Sequence, residues 1–216
     1  MIVSLPITAE ASLHLAVPDG AIEEPEAAQP VIDVSRLPGA AIALRRGFQA
    51  KEGISMRALC VTAPSDRWAP GVEDLVLERA TGLLRGALGG EVTRLDLGAI
   101  DRSSPRFEQR FEGAVTRSGV PFAFQGRHLL GFTGERRTAV LCSVVCAEPG
   151  EKAVACTGLV AQQEAEGAWT SAPPPSLAIQ AILFTAARPE VALGVAAALA
   201  FGVIALVLWR RPRPRW

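Results

Sequence analysis

The stretch Val191–Trp209 constrains this chain more than any other: nineteen residues without a charge, Asn, Gln, Ser or Thr. A helix of that length is about 28 Å long, close to the thickness of a bilayer's hydrocarbon layer. A buried core helix is usually shorter, about 10–14 residues, and rarely so uniform. Trp209 falls where an interfacial aromatic belongs, and Arg210, Arg211, Arg213 and Arg215 follow at once. The run reads as one transmembrane helix, residues 191–209, with an Arg-rich tail, residues 210–216. Gly194, Ala198 and Gly202 recur every four residues and share one helix face, which lets helices approach closely. The partners implied are membrane lipid and, through that face, another membrane protein or a second copy.

Topology depends on two opposed signals. The opening MIVSLPITAE has neither a basic region nor an apolar core, so it does not read as a secretory signal. Arginines prefer the cytoplasmic side, which would place the preceding domain outside. The missing signal tips the expectation towards a tail-anchored, single-pass protein whose domain faces the cytoplasm, with a periplasm-facing domain as the alternative.

The 22 basic and 22 acidic residues cancel, so no global charge points to nucleic acid. Their layout is uneven. Residues 1–35 hold six acids and no Lys or Arg. With the Pro-containing DGAIEEPEAAQP they read as an acidic, extended N-terminal arm, residues 1–39, and a candidate contact segment. Within it ASLHLAVP alternates, placing Leu13, Leu15 and Val17 on one side.

Beyond the arm, GAAIALRRGF and ISMRALCVTAPS are strand-like. WAPGVEDLVLERATGLLRGALGG is the best helix. Pro70 suits a first helical position, Glu73 and Asp74 favour the dipole, and Gly89-Gly90 ends it. Val72, Leu75, Val76, Ala80, Leu83, Leu84 and Leu88 trace its apolar face. FEQRFEGAVT alternates, and RSG is a hairpin turn. VPFAF and RHLLGFT read as separate strands, with Gly126 and Gly134 at turns. TAVLCSVVCA is apolar on both faces and should be a covered central strand. AVACTGLVAQQEAEGAW reads as a second helix, SAPPP as a stiff spacer and SLAIQAILFTAAR as a juxtamembrane apolar segment. The expected fold class is α+β: an antiparallel sheet with packed helices over residues 40–170, a spacer over 171–190, then a single C-terminal transmembrane helix.

The stretches RALCVTAPSDRW, VEDLVLERATGLL and GRHLLGFTGERRTAVLCSVVCAEP, running into CTGLVAQQ, carry a resemblance over roughly residues 40–169. Their order resembles the PsbP-like α/β/α sandwich. The resemblance implies a domain that binds partners rather than one that catalyses, and it places no functional residue on this chain.

Chemistry is sparse. Cys142 and Cys146 share a strand face about 13 Å apart, too far to pair with each other. No C-x-x-C or paired zinc spacing occurs. In a cytoplasm-facing domain all four cysteines are reduced core residues. In an oxidising compartment Cys146–Cys156, or Cys60 with one of the pair, forms a bridge. His14 and His128 are the only histidines. A nucleophile pair would need Cys60 or Cys142 with His128, but every cysteine lies in an apolar run where a thiol is inert. No G-x-S-x-G, Walker A or H-E-x-x-H string is present, and GALGGE follows a helix rather than opening one. No cofactor or metal site is expected. The function expected is a membrane-anchored, non-catalytic binding or scaffolding module. The alternatives are a surface or envelope enzyme with a shallow site near Arg127, His128 and the Cys60 strand, or an accessory subunit of a membrane complex.

Overall fold

The computed structural model describes residues 1–25, 39–65, 68, 71–102, 105–134, 138–174, 177 and 180. Of residue 79 and residues 82–87 it describes the backbone alone. Met1–Pro174 form one compact unit.

Strands dominate it. In chain order they are β1 (Ile2–Pro6), β2 (Ala11–Ala16), β3 (Ile22–Glu23), β4 (Ala41–Gln49), β5 (Ser55–Ala63), β6 (Glu91–Asp101), β7 (Phe107–Arg117), β8 (Val120–Thr133), β9 (Thr138–Pro149), β10 (Glu164–Gly167) and β11 (Trp169–Thr170). Among the described residues of this unit, two helices, α1 (Val72–Leu88) and α2 (Val154–Ala161), interrupt them. The large sheet runs β3-β4-β5-β9-β8-β7-β6, with β11 also pairing β8, and every pairing is antiparallel. A smaller sheet runs β1-β2-β10.

Register decides which side chains share a face. Cys60, Cys142 and Leu129 stand opposite one another across β5, β9 and β8. They face the small sheet and α2. There they join Leu13, Leu15, Val17, Phe48, Met56, Cys146, Cys156 and Val160 in the main core. The other face carries α1. Beneath it lie two smaller clusters, one around Phe111, Val115, Phe124 and Leu88, the other around Trp68, Leu77, Leu130 and Phe132. β9 is covered on both faces, as its two-sided apolar sequence requires.

The fold is therefore β-rich, and this corrects the expected α+β class with its terminal anchor. No helix among the described residues is long and apolar enough to cross a membrane. The longest, α1, has 17 residues and carries Glu73, Asp74, Glu78, Arg79 and Arg85. The expected span, residues 191–209, lies outside the described residues. So do its Val191, Gly194, Ala198, Gly202 and Trp209 and the flanking Arg210 and Arg211. The single-pass, tail-anchored and membrane-bound expectations rested on that span; no helix among the described residues carries them, and they are withdrawn.

Other elements shift for local reasons. Residues 1–17 are extended, but β1 and β2 are built into the small sheet, with Leu13 and Leu15 in the main core. Gly126 is not a turn: β8 runs through it for 14 residues. A Cβ at Gly126 would collide with the Phe111 ring and the Val144 carbonyl, so the glycine makes room for a ring inside a continuous strand. The second helix stops at Ala161, and Glu164 to Gly167 return as β10 against β2. On α1 the expected Ala80 and Leu88 are buried and Val72 and Val76 pack against the core, whereas Leu75 is exposed and Leu77 and Thr81, outside the expected face, are buried. Leu83 and Leu84 lie among the residues whose side chains are not described.

Candidate binding groove

The large sheet is wider than what covers it. On the small-sheet side α2 lies over β9 and β8, and the same face of β6 and β7 is left open. Two lobes of about 420 and 440 Å³ run along the boundary, and Glu112, Gln125 and Thr157 line both.

The wall is α2. It is only eight residues long and needs outside support. The Glu148 carboxylate on β9 accepts from the Ala155 N–H at the helix start, with both oxygens at 3.1 Å. The Cys146–Cys156 disulfide ties the helix to the strand below it. At the far end the Gln163 side chain donates to the carbonyls of Leu159 and Ala16. With Cys156 and Val160 buried, α2 turns outward a row of short side chains, Val154, Thr157, Gly158 and Ala161. A Cβ at Gly158 would meet nothing within 4 Å.

The floor is set by register. Glu112 on β7 stands between Asp96 on β6 and Gln125 on β8. One row along, Ala114 stands between Arg94 and Ala123, and one row the other way Arg110 stands beside Arg127. The Gln125 amide donates to Glu112 at 3.2 Å, and Arg94 pairs with Asp96 at 3.1 Å. Arg127 is half-buried and pairs with Glu108 at 3.6 Å. Burial lowers its pKa, Glu108 opposes that, and Arg106 and Arg110 add to the lowering. Phe111 and Phe124 lie under the backbone on the α1 side, so the floor presents charge and no aromatic ring.

The sequence-predicted site does not assemble. His128 and Arg127 are neighbours on β8 and point to opposite faces. His128 is fully buried beneath α1. Its Nδ1 lies 2.8 Å from the Ser143 hydroxyl and its Nε2 lies 3.3 Å from the Thr81 hydroxyl. Burial pushes its pKa down to about 4, so the ring is neutral near pH 7. Cys60 lies on the opposite face of the sheet and is bonded to Cys142, so no thiol can meet the imidazole. Gln109 continues the buried polar row beside His128 and donates to the Gly98 carbonyl at 3.0 Å. His14 sits apart on the small sheet, 3.2 Å from Glu166.

All four cysteines are paired, Cys60 with Cys142 and Cys146 with Cys156, and none is free. This selects the oxidised alternative over reduced core thiols. Among the described residues no three His, Cys, Asp or Glu side chains converge as ligands for a metal. Sequence reading missed the groove because it missed β6. The signal was present: in EVTRLDL, Arg94 and Asp96 alternate with Leu95 and Leu97.

No protein-family model and no curated protein sequence matches the chain. Among solved structures it is similar to LpqN of Mycobacterium tuberculosis, described as involved in cell envelope biogenesis. The two share 12% identity over 76% of this chain and 91% of LpqN, with a TM-score of 0.43. A likeness that distant assigns no role to any residue of the groove.

Proposed function

We propose that this chain is a non-catalytic binding module of an oxidising compartment, and that the groove between α2 and β6–β8 is its recognition surface. The observation that carries this is the long cleft itself. It is walled by a helix that a disulfide and a capping carboxylate hold in place, and floored by charged side chains that the core does not use. Rigid walls reduce what binding must spend on ordering the site. Two disulfides favour a compartment in which such bonds persist. The non-catalytic reading rests on the same residues: the one buried imidazole is neutral and closed off, and every thiol is bonded. The PsbP-like resemblance, with its implied partner-binding role, is consistent with it.

The test is photo-crosslinking in cells. A benzophenone amino acid in place of Thr157, at the centre of the groove, should yield a discrete adduct. The same residue in place of Val120, on the exposed hairpin between β7 and β8, should not. Equal labelling from both positions, or no adduct from Thr157, removes the groove as the recognition surface.

A further inference from the structure

We infer that the groove takes an extended peptide with the pattern acid–x–base–x–acid, a step that rests on reading the groove as the recognition surface. Three floor rows lie across the strands. Arg110 supplies a positive row, Asp96 and Glu112 a negative one, and Arg94 a second positive one. Arg110, Glu112 and Ala114 are successive same-face positions of β7, so adjacent rows are two strand residues apart, about 6.8 Å. A polypeptide lying extended beside β7 repeats its own same-face side chains at that distance. Its three floor-facing side chains then meet charges of +, − and +, and complementarity asks for an acid, a base and an acid in turn. The intervening side chains point to solvent and are unconstrained.

Two further features fit a chain rather than a compact ligand. Along α2 itself the wall is Val154, Thr157, Val160 and Ala161, short enough for a backbone to approach, and the charged Glu151 and Lys152 stand just before the helix at the Arg94 end of the groove. The floor's own charge contacts are exposed, Arg94 and Asp96 each being more than half accessible. Exposed pairs of that kind hold little energy, so a ligand can take over either partner. The absence of an exposed ring on the described floor disfavours a sugar polymer, which would stack on one.

The full chain is titrated with fluorescein-labelled Thr-Glu-Thr-Lys-Thr-Glu-Thr and, separately, Thr-Lys-Thr-Glu-Thr-Lys-Thr, at low salt where screening is weak. The first should bind about tenfold tighter, since like charges set opposite one another select against the second. The first should also bind tighter than Thr-Glu-Thr-Glu-Thr-Glu-Thr, and Glu112→Lys, which leaves only Asp96 to oppose the new cation in the middle row, should remove that second discrimination. Thr157→Trp, an exposed position, should block every peptide while leaving the thermal midpoint unchanged. Equal binding of the first two peptides, binding of neither, or a discrimination against Thr-Glu-Thr-Glu-Thr-Glu-Thr that survives Glu112→Lys overturns the inference. If Thr157 still crosslinks a discrete partner in that case, the groove remains a recognition surface and only the peptide pattern falls. If it does not, both fall.

Discussion

Replacing Cys60 and Cys142 together by alanine removes a bridge between residues 82 apart in sequence. Replacing Cys146 and Cys156 removes one between residues 10 apart. In the chain-entropy account a crosslink stabilises by restricting the unfolded state, and more so for a longer loop. The two loops give about 4.5 and about 2.7 kcal/mol at 25 °C. The comparison is unusually clean. All four cysteines are almost fully buried, so the loss of sulfur packing is similar in both variants and largely cancels in the difference. The loops do not overlap in sequence, so the costs should add, to roughly 7 kcal/mol for the variant without either bridge. Urea unfolding without reductant measures this. With a slope of about 2 kcal/mol/M, the midpoint should fall by about 2.2 M for Cys60/Cys142 and about 1.4 M for Cys146/Cys156. A reversed order, or a Cys60/Cys142 cost under about 1 kcal/mol, refutes the reasoning. It would mean that the unfolded chain already holds β5 and β9 together, or that the bridges are not formed.

Further expectations follow from single residues. The buried His128 is neutral in the fold with a pKa of about 4 against an ordinary 6.5. Stability should therefore be complete above pH 6.5, fall by about 3 kcal/mol as pH drops from 6.5 to 4, and level off below. His128→Asn keeps a partner for Ser143 and should flatten that slope, whereas an NMR titration of His128 with a midpoint above 6 would contradict it. Gly126→Ala should cost on the order of 2 kcal/mol because its methyl meets the Phe111 ring and the Val144 carbonyl. Gly158→Ala, in open space on an exposed helix, should stabilise by about 0.5–1 kcal/mol; thermal midpoints moving in the same direction for both would count against the described packing. Arg117 donates to the Leu88 carbonyl at the end of α1 at 2.7 Å and lies over the Phe122 ring. Arg117→Ala should cost about 1–2 kcal/mol in urea unfolding, and an unchanged midpoint would show that the helix end needs no cation.

Sequence periodicity located the elements whose burial it encodes directly. The alternation in β7, the two-sided apolar run in β9, and α1 with its terminating glycines lie where the pattern puts them, α1 starting at Val72 beyond Pro70. It failed where a residue's reason is tertiary. Gly126 looks like a turn because glycine usually marks one, but the ring it accommodates comes from β7. Leu77 and Thr81 face the sheet because Thr81 meets His128, a contact between residues 47 apart that no local window contains. The apolar composition of AVACTGLVAQQ suggests a longer helix, yet β2 needs a partner and takes β10 from its end. For the disulfides, spacing excluded Cys142–Cys146 and left two schemes open. The choice required knowing that Cys60 and Cys142 stand opposite in register.

The groove follows from a mismatch of widths. Seven strands on the main path of the sheet, at about 4.8 Å each, make a sheet some 29 Å across. Its small-sheet face has three short strands and an eight-residue helix to cover it. The helix reaches β8 and no further, so β6 and β7 must carry water-compatible residues on that face while still burying Leu95, Phe111 and Val115 on the other. That requirement accounts for Arg94 and Asp96 flanking Leu95 and for Arg110 and Glu112 flanking Phe111 without reference to any ligand; Leu97 is exposed and falls outside it. It does not explain the order of signs, since any solvated residues would satisfy it. Arg110, then Glu112 with Asp96, then Arg94 is one arrangement among many that solubility permits. At its centre the like-charged Asp96 and Glu112 stand directly opposite, and the fold offsets their repulsion locally, with Arg94 3.1 Å from Asp96 and the Gln125 amide donating to Glu112 at 3.2 Å.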